Sequence, residues 1–167
     1  MNKWDKNFLE LAKTVSTFSK DPSTKVGAVI VDDDNRVISI GYNGFPKGIK
    51  DDHRLDNREV KYEMVVHAEA NALLFANAPV KGCAIYTWPF QPCSRCASLI
   101  IQAGVRRVVS VENKDQKWSS NFQLAQDMLT EARIEVETYK ISEYKRDSKK
   151  YEKMNRQTVK TEIETKN

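Results

Sequence analysis

The stretch that decides the fold is residues 67–111, which reads HAEANALLFANAPVKGCAIYTWPFQPCSRCASLIIQAGVRRVVSV. Its apolar spacing predicts a helix, a strand, a second helix and a second strand, over residues 67–77, 84–88, 93–102 and 105–111. Gly104 is well placed to end the second helix, because glycine commonly follows the last helical turn. Strands that alternate with helices indicate parallel strands joined by crossovers, so helices are expected to cover a sheet.

The flanking sequence extends this pattern. Ahead of it, the spacing predicts a helix over 2–18 and two strands over 26–31 and 37–40, joined as a hairpin by a polar turn. Behind it, a helix over 121–132 and a strand over 134–138 are expected. The order α-β-β-α-β-α-β-α-β predicts an α/β protein with three α-β-α layers, in which a five-stranded mixed sheet carries helices on both faces.

Two segments stand outside this pattern. Gly41 to Tyr62 is long and polar, and a structureless loop of that length is usually functional or disordered. Residues 1–139 are interpreted as one domain, and residues 140–167 as a charged C-terminal extension. Apolar residues on one helical stripe of this extension allow either an added amphipathic helix or disorder; they are Ile141, Tyr144, Tyr151 and Met154. The last ten residues are expected to be frayed.

Charge is unevenly distributed along the chain of 167 residues, whose net charge is +4. Residues 140–167 hold nine Lys/Arg and five Asp/Glu, so residues 1–139 hold eighteen of each sign and balance to zero. A neutral body lacks the basic footprint of a nucleic-acid-binding protein. No apolar run resembles a signal peptide or a membrane span, so we expect a cytoplasmic protein with neither a nucleic-acid nor a membrane partner.

A split motif indicates a metal site: His67-Ala68-Glu69 is followed by Pro92-Cys93-Ser94-Arg95-Cys96. Cysteines three residues apart on a helix face the same way. Three protein ligands leave the fourth tetrahedral position for water, which is typical of catalytic zinc. We predict that His67, Cys93 and Cys96 bind Zn²⁺ and that Glu69 acts as a general acid and base. A bare Cys-x-x-Cys is also found in structural zinc half-sites and redox pairs.

The motif specifies a reaction. H-x-E followed by P-C-x-x-C is typical of zinc deaminases that act on nucleobases, and the expected reaction is hydrolytic loss of ammonia from C4 of a cytosine. The sequence has three cysteines and two histidines, so only Cys83 and His53 remain outside the motif. We therefore predict one zinc per chain, with Cys83 in the core and His53 in solvent.

From Phe8 to Tyr139 the chain resembles the deoxycytidylate deaminase family, within the zinc-dependent cytidine deaminase superfamily. The segments that carry this resemblance are SKDPSTKVGA (19–28), GYNGFP (41–46), HAEANA (67–72), PCSRCA (92–97) and IIQAG (100–104). The resemblance implies a cytidine-deaminase-like fold and conversion of dCMP and water to dUMP and ammonia, which supplies dUMP for thymidylate synthesis. It further implies a homo-oligomer, usually a hexamer, activated by dCTP and inhibited by dTTP. Mg²⁺ would accompany the regulatory nucleotide.

The resemblance also suggests roles for particular residues. His67, Cys93 and Cys96 correspond to the zinc ligands and Glu69 to the proton shuttle. Asn43 corresponds to a deoxyribose contact and Ala68 to a second substrate contact. The regulatory nucleotide is expected near Tyr42, Asn43, Gly44, Phe45 and Pro46.

A nucleotide phosphate requires cationic or amide donors. Lys25, Lys114 and Lys117 are candidates, and Arg95 could face either the site or solvent. Phe90 or Trp88 could form a wall of the base pocket.

Two other functions remain open from the sequence. A polynucleotide deaminase, acting on tRNA adenosine or on cytosine in single-stranded DNA, is disfavoured by the neutral body and favoured only by the basic extension. A non-catalytic nucleotide-sensing zinc module is disfavoured by Glu69, because folding around a metal requires no carboxylate there.

Overall fold

The computed structural model describes residues 1–112, 119–147 and 149. The helices are α1 (Lys3–Ser16), α2 (Arg58–Met64), α3 (Ala68–Leu74), α4 (Ser94–Gln102) and α5 (Ser119–Glu131). The strands are β1 (Gly27–Val31), β2 (Val37–Tyr42), β3 (Ala84–Trp88), β4 (Arg107–Val111) and β5 (Glu135–Tyr139). No helix among these described residues is both long enough and apolar enough to cross a bilayer.

The five strands form one mixed sheet in the order β2-β1-β3-β4-β5. Strand β1 is antiparallel to both β2 and β3, whereas β3, β4 and β5 run parallel. The predicted hairpin is confirmed: its turn is closed by a hydrogen bond from the Asn35 amide to the Asp32 carbonyl, 3.1 Å long. The predicted parallel crossovers are also confirmed, since each parallel pair is joined by α4 or α5.

Helices cover both faces of the sheet, which confirms the three-layer prediction. On one face α1 packs Phe8, Leu9, Ala12 and Val15 against buried residues of β1, β3 and β4. On the other face α3, α4 and α5 bury a second apolar cluster, which includes Ala72, Ile100 and Leu129. Each face of β1 is therefore covered, and all five of its residues are buried.

Two glycines allow helices to approach the sheet closely. A Cβ at Gly27 would collide with the Ala12 carbonyl and the Ser16 amide of α1. A Cβ at Gly41, on β2, would collide with backbone atoms of Ala68 and Ala72 in α3. Because α3 begins directly after His67, Gly41 helps to set the position of the first half of the metal motif.

The prediction of a structureless loop from Gly41 to Tyr62 is wrong. Strand β2 continues to Tyr42, a short 3₁₀ helix spans His53–Leu55, and α2 begins at Arg58. Helix α2 is capped by Asn57, whose side chain accepts a hydrogen bond of 3.2 Å from the Val60 amide. The sequence does not reveal α2, because this helix is rich in charged residues and lacks the apolar stripe that identifies a helix in a sequence.

Part of the C-terminal extension is helical. Residues 141–147 form a helix, and Tyr144 is only 2% exposed. Its ring packs on Trp88 with 4.7 Å between ring centroids, beside the α1 cluster. Residues 141–147 therefore form an added helix, which is the first of the two alternatives given for the extension. Tyr151, Met154, Lys114 and Lys117 lie outside the described residues.

Candidate active site

The two halves of the metal motif lie at the starts of two helices. His67 is the N-cap residue of α3 and Cys93 that of α4, and neither side chain forms a capping hydrogen bond. Their side chains are therefore available to a ligand. Cys96 lies one turn into α4 and is buried. Thiolates are favoured at this position, because the N-terminus of a helix carries partial positive charge.

These three side chains converge. The Nδ1 atom of His67 lies 3.4 Å from the Sγ atom of Cys93 and 3.3 Å from that of Cys96. The potential ligand atoms all lie within 4.8 Å of one another. One imidazole nitrogen and two thiolates form a donor set that suits Zn²⁺. The residues present therefore fit the metal that the motif predicts.

Hydrogen bonding within the cluster shifts its protonation. The hydrogen bond from the Cys96 thiol lowers the pKa of Cys93 to about 4, and the same hydrogen bond raises the pKa of Cys96. The hydrogen bond with Cys93 raises the pKa of His67. Because a metal is bound by thiolates and neutral imidazole, binding at this cluster would be accompanied by proton release.

Glu69 lies in the first turn of α3, two residues after His67, and is only 4% exposed. Burial raises the pKa of its carboxyl group. It lines the same cavity as His67 and Cys93. A buried carboxyl group beside a metal-binding cluster has the environment of a general acid and base.

Among the described residues, His67, Cys93 and Cys96 are the only group of three or more potential metal ligands that lie close together. Cys83 is buried in the apolar cluster beneath α3, α4 and α5. His53 is exposed and faces Asp52. Cys83 and His53 therefore both lie apart from this cluster.

The cavity in front of the cluster has a volume of about 630 Å³. Phe90 and Phe122 both line it, with 5.8 Å between ring centroids, and offer an apolar surface for a planar base. Trp88 does not line the cavity: its ring packs on Tyr144 in the α1 cluster. Of the two aromatic candidates, Phe90 is thus the one at the site.

A buried polar network forms another part of the cavity wall. The Lys61 ammonium lies 3.0 Å from Asp21 Oδ1 and 3.0 Å from Ser23 Oγ. The side chains of Lys61 and Asp21 are each 6% exposed. The Asn43 amide donates to the Thr24 carbonyl at 2.9 Å, and its oxygen accepts from the Val26 amide at 2.8 Å. Asn43 is therefore held rigidly at the cavity surface.

Sequence reasoning missed Lys61, Asp21, Arg58 and Phe122 as cavity residues. Lys61 and Asp21 are 40 positions apart, so no local spacing links them. For Phe122 the sequence predicts only a place in a helix. The one available signal is the concentration of charge between Gly41 and Tyr62, a segment whose polarity predicts a loop.

Only some of the other predicted substrate and regulatory residues line the cavity. Asn43, Ala68 and Arg95 line the cavity. Lys25 is exposed and is not among the residues that line it. Of the segment Tyr42 to Pro46, only Asn43 contributes to the cavity wall.

The segment Tyr42 to Pro46 is connected to α3 and its approach. The Tyr42 carbonyl accepts a 2.8 Å hydrogen bond from the Asn71 side chain. The backbones of Gly44 and Val66 exchange two hydrogen bonds of 3.1 and 2.9 Å. A displacement of this segment would therefore act directly on Val66, the residue before His67.

Comparison with known proteins agrees with this geometry. A family model described as the cytidine and deoxycytidylate deaminase zinc-binding region matches residues 2–112. An uncharacterized deaminase from the luxG 3′ region of Aliivibrio fischeri is 44% identical over 139 residues, which cover 81% of this chain and 93% of that protein. The deoxycytidylate deaminase of Mus musculus is 44% identical over 118 residues, which cover 66% of each chain.

The fold is shared with a solved structure. The crystal structure of dCMP deaminase from the cyanophage S-TIM5 in apo form is 27% identical, with a TM-score of 0.64, and the match covers 83% of this chain and 99% of that one. The family match spans both halves of the metal motif and the two helices at whose starts they lie. The chain belongs to the cytidine and deoxycytidylate deaminase family of zinc-dependent hydrolases.

Proposed function

We propose that this protein deaminates dCMP to dUMP with release of ammonia. The observation that carries the proposal is the convergence of His67, Cys93 and Cys96 beside a buried Glu69, at a cavity lined by His67, Cys93 and Glu69. The choice of substrate is supported by the mouse relative, which is named a deoxycytidylate deaminase, and by the cyanophage dCMP deaminase. A cavity of about 630 Å³ is of a size that suits a mononucleotide.

The chain's own residues supply binding and proton transfer. Zinc, when held by His67, Cys93 and Cys96, supplies a Lewis acid that makes water nucleophilic at neutral pH. The Glu69 carboxylate accepts a proton from the attacking water and donates it to N3 of the cytosine ring. Glu69 then accepts the second proton, from the hydroxyl added at C4, and delivers it to the leaving amine, so that C4 becomes a carbonyl as the C4–N bond breaks and ammonia departs. A positioned general acid and base of this kind contributes roughly 100- to 10,000-fold to the rate.

Orientation of the substrate is assigned to the cavity walls. Phe90 and Phe122 provide the surface against which the base packs. Asn43 and Ala68 are proposed to contact the deoxyribose. Asn43 suits this role because its amide is fixed by hydrogen bonds to the backbone of residues 24 and 26, so little side-chain entropy is lost on binding.

We further propose that the protein supplies dUMP for thymidylate synthesis in the cytoplasm as a homo-oligomer, in the family's usual hexameric form. In this proposal dCTP, bound with Mg²⁺, activates it and dTTP inhibits it. The segment Tyr42 to Pro46 is a suitable site of regulation, because Asn43 faces the cavity while its neighbours are bonded to Asn71 and Val66. Leu74 and Phe75, which are 74% and 61% exposed, offer apolar surface for assembly.

The substrate assignment is tested by measuring ammonia release from deoxycytidine, dCMP, dCTP and a cytosine-containing oligonucleotide. Each substrate is assayed alone and with dCTP or dTTP in the presence of Mg²⁺. The highest kcat/KM is expected with dCMP, with dCTP raising and dTTP lowering the rate. Turnover of the oligonucleotide, with no turnover of deoxycytidine, dCMP or dCTP, would contradict the proposal and favour a polynucleotide deaminase.

The metal assignment has a matched control within the chain. Zinc content is expected to be about one ion per chain and to fall sharply in Cys93→Ala. Cys83→Ala is expected to retain zinc, because Cys83 lies in the apolar core and outside the cluster. Two zinc ions per chain, or loss of zinc from Cys83→Ala, would contradict the ligand set.

A further inference from the structure

We infer that Arg58 and Arg95 form a two-arginine clamp that binds the 5′-phosphate of the nucleotide and so selects a nucleotide over a nucleoside. This inference rests on the proposed function, since it assigns a recognition element to the same cavity. It concerns a part of the substrate that takes no part in bond breaking at C4.

The two arginines approach the cavity from different helices. Arg58 is the first residue of α2, and Arg95 is the second residue of α4, between the two cysteines of the metal cluster. Both side chains line the cavity, and both residues are exposed. Residues that line a cavity and also contact solvent lie at its mouth. The charged end of a substrate whose base is buried near the cluster would remain there.

Arg58 is held in an orientation that leaves its terminal nitrogens available. Its Nε donates a 3.1 Å hydrogen bond to the Tyr62 hydroxyl, and its guanidinium carbon lies 5.2 Å from the centroid of the Tyr62 ring. Both Nη groups remain outside these contacts. A planar guanidinium that presents two such groups matches the oxygens of a phosphate in a bidentate arrangement.

Neither arginine has a carboxylate partner among the residues that the structure describes. Within the described parts of the chain, no Asp or Glu lies at ion-pair distance from Arg58 or Arg95. Other arginines of the protein differ in this respect, and four of them with their partners are Arg36–Asp32, Arg54–Asp52, Arg106–Asp33 and Arg107–Asp5. Two uncompensated guanidinium groups at one cavity are therefore available for an anionic ligand.

Among the described residues that line the cavity, the other charged groups leave this role to Arg58 and Arg95. Lys61 also lines it, but its ammonium is already paired with Asp21 at 3.0 Å. Asp56 and Glu63 line the cavity as well and would repel an anion that is not held directly. Among these described residues, the two arginines therefore supply most of the attraction for a phosphate. A nucleoside, which lacks the phosphate, gains nothing from them.

The test compares kcat/KM for dCMP and for deoxycytidine in wild type, Arg58→Gln, Arg95→Gln and Arg36→Gln. A hydrogen-bonded charge pair with phosphate predicts that the ratio of the two kcat/KM values falls about 10- to 100-fold in Arg58→Gln and in Arg95→Gln. The ratio is expected to stay at the wild-type value in Arg36→Gln, whose side chain is paired with Asp32 in the β1–β2 turn. Zinc content is measured in each preparation.

An unchanged ratio in both cavity variants would overturn the clamp while leaving the proposed function standing. If wild type turned over neither substrate, the proposed function itself would fail, which is a separate result. Should Arg95→Gln lose zinc, Arg58→Gln decides the matter, because Arg58 lies on a different helix from the cysteines. If deoxycytidine turnover is too slow to follow, the affinities of dUMP and deoxyuridine, measured by calorimetry, give the same comparison.

Discussion

Gly41→Ala should disable the site without changing any metal ligand or the general acid and base Glu69. The added methyl group would point from β2 into the backbone of α3, where it would meet Ala68 and Ala72. Both contacts are with backbone atoms, so a side-chain rotation cannot relieve them. Restoring ordinary van der Waals separation requires α3 to move by roughly 1 Å. Helix α3 carries Glu69 and begins directly after His67.

The magnitude follows from that displacement. Overpacking of this kind costs about 1–3 kcal/mol of unfolding free energy, and a 1 Å misplacement of reacting groups costs about 100-fold in rate. Gly44→Ala is the matched control, because a Cβ there would meet nothing within 4 Å. Ammonia release from dCMP, zinc content and urea unfolding would be measured on both variants. Wild-type kcat/KM in Gly41→Ala would refute the argument that this contact positions α3.

The remaining predictions concern stability. Asp5 is 1% exposed and pairs with Arg107 at 2.6 Å, so Asp5→Asn should lower the free energy of unfolding by about 3–5 kcal/mol in urea titrations. Asp33→Asn, which breaks a pair exposed to water, should cost far less, and equal losses would contradict this explanation. Burial opposes ionisation of Asp5, but the hydrogen bonds from Arg107, Tyr139 and Tyr86, together with the positive charge of Arg107, outweigh it and lower the Asp5 pKa. A carboxyl group with a lowered pKa stabilises the fold above about pH 4, and this contribution is lost as the pH falls further. The difference in unfolding free energy between wild type and Asp5→Asn should therefore shrink in acid. A difference that grew in acid would contradict this assignment. Tyr144→Ala should cost about 3–5 kcal/mol, because Tyr144 is 2% exposed against Trp88; a cost below about 1 kcal/mol would show that residues 141–147 do not stabilise the domain.

Local sequence patterns were sufficient for most of the sheet and for the metal cluster. The β1–β2 hairpin and the parallel order of β3, β4 and β5 follow from alternation that can be seen within short windows. Cys93 and Cys96 share a helix, so their spacing alone places them together. The position of His67 beside them depends on tertiary structure, and it was predicted only because the composite motif is so specific.

The features that the sequence did not reveal depend on contacts between distant parts of the chain. Helix α2 carries few apolar residues. Its position is fixed by the buried Lys61–Asp21 ion pair, which joins residues 40 positions apart. Tyr144 lies in a strongly charged segment, and only its packing on Trp88 distinguishes an ordered helix from a frayed tail. Long-range contacts of this kind override local propensity, so single-sequence reasoning does not detect them.

The central claim is that a single glutamate beside a His-Cys-Cys zinc site carries out the proton transfers of dCMP deamination. It is tested most directly by Glu69→Gln, which keeps the size of the side chain and removes its ability to shuttle a proton. Zinc content and dUMP formation from dCMP would be measured on the same preparations of wild type and variant. We predict about one zinc per chain in both proteins, with dUMP formation at least about 100-fold slower in the variant. A zinc-loaded variant that forms dUMP at the wild-type rate would contradict the account.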